Sequence, residues 1–185
     1  MTFSLPARGF AAALLASVLM LPSVSTETAA NEAVSKDTGP ARAACDALAR
    51  GTDDWRACVG AARAAMPDEE LFYAGYWLAK SGHYAEALTY LNLARVKDER
   101  VLTYIGFATR KLGAVEAALP FYQAALGRNP DYVVARAYLG EAYLSQGEPA
   151  RAKAELAEIA ARCGTTCPAY IDLDRHIAEY VAAHG

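Results

Sequence analysis

The chain has 185 residues and a formal net charge of −3 at pH 7, with 21 acidic side chains against 18 basic ones. This acidic balance disfavours a nucleic-acid-binding protein, which would need a basic surface. About 160 residues remain once the N-terminal segment described next is set aside, and that length suits one domain.

The first 25 residues have the pattern of a secretory signal peptide. Arg8 precedes an uncharged apolar run over residues 9–21, and Pro22 and small residues follow it. The run is shorter than the roughly 20 residues that span a bilayer, so a cleaved signal is favoured over an uncleaved anchor. Cleavage after Ser25 and cleavage after Ala30 both remain open. The pattern predicts a periplasmic or secreted protein with no stable membrane insertion after cleavage.

Residues 26–40 predict a flexible leader, because they are too polar and too small to bury a core. No cysteine occurs before Cys45, so a lipid-anchored form of export is not supported.

Residues 41–66 predict a disulfide-linked helical hairpin. Two short helices, over residues 41–50 and 54–65, flank a turn across which Cys45 and Cys58 would face each other. The four cysteines of an exported chain favour disulfides, since the compartment outside the cytoplasm is oxidising. Asp53 or Asp54 is expected to cap the second helix, and Trp55 to anchor it in the core. The hairpin would cap the N-terminal end of the helices that follow.

Glycine pairs seven residues apart recur three times within residues 67–162. An alanine stands five residues after the second glycine of each pair: Gly75, Gly82 and Ala87; Gly106, Gly113 and Ala118; Gly140, Gly147 and Ala152. Small residues let two helices of one pair touch closely, and Pro130 would end the second pair. Gly113 to Gly147 spans the 34 residues typical of the tetratricopeptide repeat (TPR), whereas Gly82 to Gly113 spans 31. The pattern resembles the TPR family.

The resemblance implies an all-α fold, a right-handed superhelical α-solenoid of about three helix pairs. The pairs are expected over residues 68–81 with 84–97, 100–112 with 114–128, and 133–145 with 149–161. Asp68 is expected to cap the first of these helices, and Gly106 to contact Ala118. Similarity to small exported bacterial TPR proteins implies a non-enzymatic scaffold or adaptor that binds another protein.

Residues 163–185 predict a disulfide turn and a capping helix. Cys163 and Cys167 are the remaining cysteine pair, and a helix beginning at Pro168 would cover the last repeat with an apolar stripe: Tyr170, Leu173, Ile177 and Tyr180. Closely spaced cysteines also occur in disulfide-exchange enzymes, so a thiol-disulfide helper acting through this pair is the alternative function. Three intervening residues instead of two, and no thioredoxin-like alternation of strands and helices, favour a structural disulfide.

The TPR resemblance implies a partner-binding groove on the first helices of the pairs. Six residues are the predicted binding site: Phe72, Tyr76, Lys80, Phe107, Arg110 and Lys111. The aromatic rings would supply rigid contact area, and the basic groups would favour a protein or peptide of the cell envelope with an acidic or carboxylate-bearing segment. Self-association through the end faces or the convex surfaces is a further expectation.

Catalysis has little support in the sequence. His83, His176 and His184 fall in a turn, on the capping helix and at the C-terminus, and a plain surface position is expected for each. No histidine pair has helical metal-ligand spacing, no glycine-rich loop follows a strand, and no hydrolase serine motif occurs. The sequence therefore predicts no enzyme, no cofactor and no metal site.

Overall fold

The computed structural model describes residues 40–185, so the predicted signal peptide (residues 1–25) and the leader up to residue 39 lie outside the described residues. Within residues 40–185 the fold is all-helical, as predicted. A 3-10 helix, Pro40–Cys45, precedes eight α-helices: α1 Asp53–Ala64, α2 Asp68–Lys80, α3 Tyr84–Leu91, α4 Glu99–Lys111, α5 Val115–Arg128, α6 Val133–Ser145, α7 Pro149–Cys163 and α8 Pro168–His184. None of these described helices has the length and apolar character needed to cross a membrane.

The N-terminal hairpin consists of the 3-10 helix and α1, joined by the predicted disulfide between Cys45 and Cys58. The first helix ends at Cys45 and is therefore shorter than the expected span of residues 41–50. The expected aspartate cap of α1 is wrong, because Thr52 takes that position and its hydroxyl oxygen accepts a 3.2 Å hydrogen bond from the Trp55 amide.

The hairpin packs against α3 through Tyr90. The Ala41 amide donates a 3.4 Å hydrogen bond to the Tyr90 hydroxyl, and the Arg63 guanidinium lies 4.8 Å from the centroid of the same ring. Trp55 is 0% exposed and lies in the core that also contains Tyr90 and Leu71. Trp55 therefore anchors the hairpin, as expected.

Three helix pairs form the repeat region, α2 with α3, α4 with α5, and α6 with α7. The first helices α2, α4 and α6 pack side by side, while α3 contacts α4 and α5 contacts α6. Each pair thus contacts its neighbours in series, which is the α-solenoid arrangement. Helix α8 packs against α6 and α7, so it takes the place that the first helix of another pair would occupy.

Gly106 is the point of closest approach within the second pair. A Cβ atom at this position would lie 2.7 Å from the Tyr122 ring, so the helices can pack only if residue 106 has no side chain. Ala118, the expected partner, is fully buried on the same helix as Tyr122. After α4, Gly113 has φ 93°, a left-handed conformation that ends the helix as predicted.

Helix α3 ends at Leu91, well before the expected residue 97. The Lys97 ammonium group donates hydrogen bonds to the carbonyl oxygens of Leu91, at 3.1 Å, and Asn92, at 2.8 Å, and also contacts that of Ala94. One lysine side chain therefore satisfies carbonyl groups that another helical turn would have satisfied.

Asp68 stabilises the loop that follows α3, although it lies 27 positions before Arg95 in the sequence. Its carboxylate accepts hydrogen bonds from the amides of Arg95, at 3.0 Å, and Val96, at 2.7 Å. Pro67, not Asp68, holds the N-cap position of α2. The expected local cap is therefore wrong, and Asp68 instead ties the start of α2 to the end of its helix pair.

Helix α8 buries the centre of its predicted apolar stripe against α6. Leu173 is fully buried and Ile177 is 5% exposed. A Cβ atom at Gly140 would lie 2.6 Å from Leu173 Cδ2, so α6 and α8 are in direct contact. The predicted disulfide between Cys163 and Cys167 spans the turn that leads into α8.

Candidate peptide-binding groove

A groove follows the first helices α2, α4 and α6 and continues along α8. It consists of two adjoining clefts of about 320 Å³ and 530 Å³, which share Lys111, Glu141 and His176 as lining residues. The smaller cleft reaches Lys80 on α2, and the larger one reaches His184 at the end of α8. These two clefts together are called the groove below.

Phe107 and Tyr138 form an aromatic floor in the smaller cleft, whereas the predicted site residues Phe72 and Tyr76 line neither cleft. Phe72 and Phe107 are 5% and 8% exposed, and Tyr76 is half-buried. Two further tyrosines join them, since the ring centroids of Tyr76 and Tyr104 lie 4.8 Å apart and those of Phe107 and Tyr138 lie 4.7 Å apart. Of the three predicted aromatic residues, only Phe107 therefore lines a cleft, and at 8% exposure it offers a ligand little of its ring.

Tyr104 and Tyr138 were not among the predicted site residues. A signal for Tyr138 existed, because Tyr76, Phe107 and Tyr138 follow one another at an equal interval along the chain. Burial raises the pKa of Tyr138, although its hydrogen bond with Tyr104 and the nearby Lys80 ammonium group oppose the shift. Burial likewise raises the pKa of Tyr104, so both hydroxyls stay protonated and neutral near pH 7.

Arg110 is occupied by an internal ion pair. Its Nη2 atom lies 2.5 Å from Glu141 Oε2, and the two side chains are 8% and 9% exposed. Burial acts to lower the pKa of Arg110, but the Glu141 carboxylate and the Tyr122 hydroxyl outweigh it and raise that pKa. Arg110 therefore remains charged, with its charge neutralised by Glu141, and it fixes α4 to α6 rather than facing a ligand.

Lys80 and Lys111 are the predicted basic residues that face solvent. Both are exposed and both line the smaller cleft. The Lys111 ammonium group lies 5.6 Å from the centroid of the Phe107 ring. The Arg110 guanidinium lies 5.9 Å from the same centroid, so all three predicted cations lie near the aromatic floor, but only Lys80 and Lys111 are exposed.

Helix α8, which the sequence predicts only as a capping helix, also forms one wall of the groove. His176 Nε2 lies 3.7 Å from Glu141 Oε1, and its Nδ1 lies 3.5 Å from Glu179 Oε2. Near the end of the helix, the Tyr180 and His184 rings stack with centroids 4.2 Å apart. His184 is exposed, as expected, and His176 is half-buried; both line the larger cleft.

The lining of the groove mixes aromatic, basic and acidic side chains. It combines Phe107 and Tyr138, two exposed lysines and an α8 wall that carries Asp172, Arg175, His176 and Glu179. Among residues 40–185, no group of three or more His, Cys, Asp or Glu side chains has the geometry to hold a metal ion.

Comparisons with known proteins agree with this architecture. A family model described as tetratricopeptide repeat matches residues 110–173, from the end of α4 into α8. Among solved structures, the type III secretion chaperone SycD of Yersinia enterocolitica, in complex with a peptide of the translocator YopD, superposes with a TM-score of 0.51 at 19% identity. The alignment covers 62% of this chain and 89% of SycD, and at that identity it shows a shared fold. No curated protein matches the sequence.

The matched segment contains the whole third glycine pair, Gly140 with Gly147, and Gly113 of the second pair. The same packing of paired helices begins before the segment, at α2. The repeat register and the serial packing of helix pairs extend the likeness to tetratricopeptide repeat proteins beyond the matched residues 110–173.

Proposed function

We propose that this protein is a non-enzymatic interaction module that binds a peptide or protein segment in its groove. The observation that supports this proposal most directly is the pairing of exposed lysines with an aromatic floor along the first helices. Rigid rings contribute contact area at low entropic cost, which suits recognition of a short segment. A chaperone of similar fold holds a translocator peptide, so the architecture is compatible with a peptide ligand.

The ligand in this proposal carries an acidic or carboxylate-bearing segment. Lys80 and Lys111 line one cleft and face solvent, so their ammonium groups are available to a carboxylate. Arg110 acts indirectly, because its ion pair with Glu141 holds the α4 and α6 walls together.

The partner is proposed to be a protein of the cell envelope, met after export. Two features support this location: the signal-like pattern of residues 1–25 and the two disulfides, which persist in oxidising compartments. Cell fractionation with N-terminal sequencing of the mature protein tests it. A cytoplasmic protein that retains Met1 would contradict this location.

Affinity capture from an envelope fraction tests the groove. The double variant Lys80→Glu with Lys111→Glu reverses both exposed charges, and we expect it to lose the partner captured by the wild type. Lys153→Glu is the matched control, since Lys153 is an exposed lysine on α7 outside both clefts. Equal capture by all three proteins would remove the groove assignment.

A thiol-disulfide helper acting through Cys163 and Cys167 is the second candidate, favoured by the exposure of Cys163 in the turn before α8. A redox titration distinguishes the two functions. A reduction potential below about −300 mV identifies a structural disulfide, whereas a more oxidising value would support exchange activity.

Self-association through the end faces is the remaining proposal on partners. Ile171 and Val181 on α8 are 53% and 46% exposed, so this helix presents apolar surface at the C-terminal end. Light scattering over a range of concentrations tests it, and a constant monomer mass would exclude it.

A further inference from the structure

Three residues form a stripe along one face of α2, and they are called the outer α2 surface here: Glu70, Tyr73 and Trp77. Tyr73 is 48% exposed and Trp77 is 63% exposed, unusually open positions for aromatic side chains. Their rings are nevertheless held in place, since Tyr73 packs edge-on against Phe72 with centroids 5.1 Å apart and Trp77 against Tyr76 with centroids 4.9 Å apart.

The same spacing of residue types occurs one position earlier on α2, where it binds an arginine. Glu69, Phe72 and Tyr76 repeat the order of a carboxylate followed by two aromatic residues, after three and seven positions. Arg100 of α4 docks there: Nη1 and Nη2 lie 3.1 Å and 2.8 Å from the Glu69 oxygens, and the guanidinium lies 4.6 Å from the Phe72 centroid. Glu69 and Phe72 of this pattern therefore hold an arginine within this fold, while Tyr76 packs on Tyr104. Asp98 holds the same guanidinium, with its Oδ2 atom 2.9 Å from Nη2.

A second arginine in this structure contacts both a carboxylate and an aromatic ring. The Arg151 guanidinium lies 3.8 Å from the centroid of the Tyr143 ring, and its Nη1 atom lies 2.7 Å from Glu148 Oε2. A carboxylate beside an aromatic ring is thus a repeated arginine site in this structure, as expected from the attraction of a cation to a ring face and to a carboxylate together.

In the described part of the chain, the outer α2 surface has no neighbouring first helix of the kind that α4 provides for Glu69 and Phe72. The N-terminal hairpin packs on Tyr90 of α3, and no helix of residues 40–185 precedes α2 in the row of first helices. Within those described residues Glu70 makes no ion pair. In a solenoid, this is the face on which the first helix of a preceding repeat would pack.

We infer that the outer α2 surface binds an arginine-bearing segment of a partner protein. Glu70 supplies the carboxylate for the guanidinium, and Tyr73 and Trp77 supply ring faces for stacking. Arginine is preferred over lysine, because its planar guanidinium can pair with a carboxylate and stack on a ring at once. This surface is separate from the groove and does not depend on the groove function.

Tryptophan fluorescence tests the inference directly. The chain has two tryptophans, of which Trp55 is 0% exposed, so quenching by acrylamide reports on Trp77. The probe is an acetylated, amidated tetra-arginine peptide, compared with the equivalent tetra-lysine peptide. We expect tetra-arginine to protect Trp77 from quenching and to bind more tightly than tetra-lysine.

Variants locate the binding site. Glu70→Gln and Tyr73→Leu are each expected to weaken tetra-arginine binding about two- to fivefold, the range for exposed cation–π and ion pairs. Asp174→Asn removes an exposed carboxylate on α8 and is expected to change nothing. Unprotected Trp77, or equal weakening by Asp174→Asn, would overturn the inference, since binding would then be absent or diffuse.

Discussion

At the scale of single residues, two arginines of α4 each join that helix to a neighbouring helix. Arg110 joins α4 to Glu141 on α6, and Arg100 joins α4 to Glu69 on α2. Both arginines stand on the same middle helix and point to opposite neighbours. Basic residues on a predicted groove helix are therefore not equivalent, and only those without an internal carboxylate partner remain available to a ligand.

Two glycines allow the effect of close packing to be separated from helix propensity. Gly106→Ala is expected to destabilise the protein by about 1–3 kcal/mol, because the added Cβ would overlap the buried Tyr122 ring. Gly127→Ala, also within a helix, has no atom within 4 Å of the added Cβ and is expected to stabilise by about 0.5–1 kcal/mol. Urea unfolding measures both, and a gain for Gly106→Ala would contradict the packing argument.

Asp68 is expected to give a pH-dependent contribution to stability. Hydrogen bonds from the amides of Arg95 and Val96 lower the pKa of its carboxyl group in the folded protein. The stabilisation is therefore complete above the unfolded pKa of about 4 and disappears as the pH falls through the lower, folded value.

The variant Asp68→Asn tests this contribution by thermal unfolding. We expect a lower Tm than the wild type at pH 7 and a difference that shrinks below about pH 4. Asp174→Asn, at an exposed carboxylate of α8, is the control. A difference that stays constant over the whole pH range would exclude the charged carboxylate as its source.

At the scale of elements, the two ends of the described fold are each held by a disulfide. The N-terminal bond joins residues 13 positions apart, whereas the C-terminal one joins residues 4 positions apart. A short hairpin gains little from its own helical hydrogen bonds, because isolated helices of this length are marginal in water. The N-terminal end is therefore the one that depends more on its covalent link.

Removal of each bond by paired alanine substitutions tests that difference. By chain entropy alone, loss of Cys45–Cys58 is expected to cost about 3 kcal/mol and loss of Cys163–Cys167 about 2 kcal/mol. Emission of the buried Trp55 should shift to longer wavelength in the first variant as the hairpin loosens. Urea unfolding gives the free energies, and a larger loss for the second pair would contradict this ranking.

At the scale of the whole molecule, stability is expected to be distributed along the row of helices. Each helix pair packs on its neighbours, and α8 covers α6 and α7 at the C-terminal end. A defect at one end should therefore loosen the nearest helices more than the distant ones.

Leu173→Ala tests this distribution, because Leu173 is fully buried between α8 and α6. We expect a loss of about 2–4 kcal/mol and faster amide hydrogen exchange in α6 to α8 than in α2 and α3. Val181→Ala, at a 46% exposed position of the same helix, should change stability by less than about 0.5 kcal/mol. A uniform rise in exchange along the chain would show one cooperative unit instead.

The sequence alone determined the features that depend on local geometry. The glycine register predicted the helix pairs, and the spacing of Cys45 and Cys58 across a turn predicted their bond, which the structure contains. These predictions succeed because helix ends, tight turns and close contacts restrict which residue types fit at fixed short spacings. The six predicted binding residues remain a prediction. Four of them line the clefts, Lys80, Phe107, Arg110 and Lys111, and of these Arg110 is held by its salt bridge with Glu141.

Only the tertiary structure decided which charges are available and which helices form the groove. Asp68 and Arg95 lie 27 positions apart, and Arg110 and Glu141 lie 31 apart, so no local pattern could reveal either contact. The same holds for α8, whose side chains enter the groove because it packs beside α6. These contacts depend on which helices pack next to each other. A cation that pairs with a nearby carboxylate is no longer available to bind a partner.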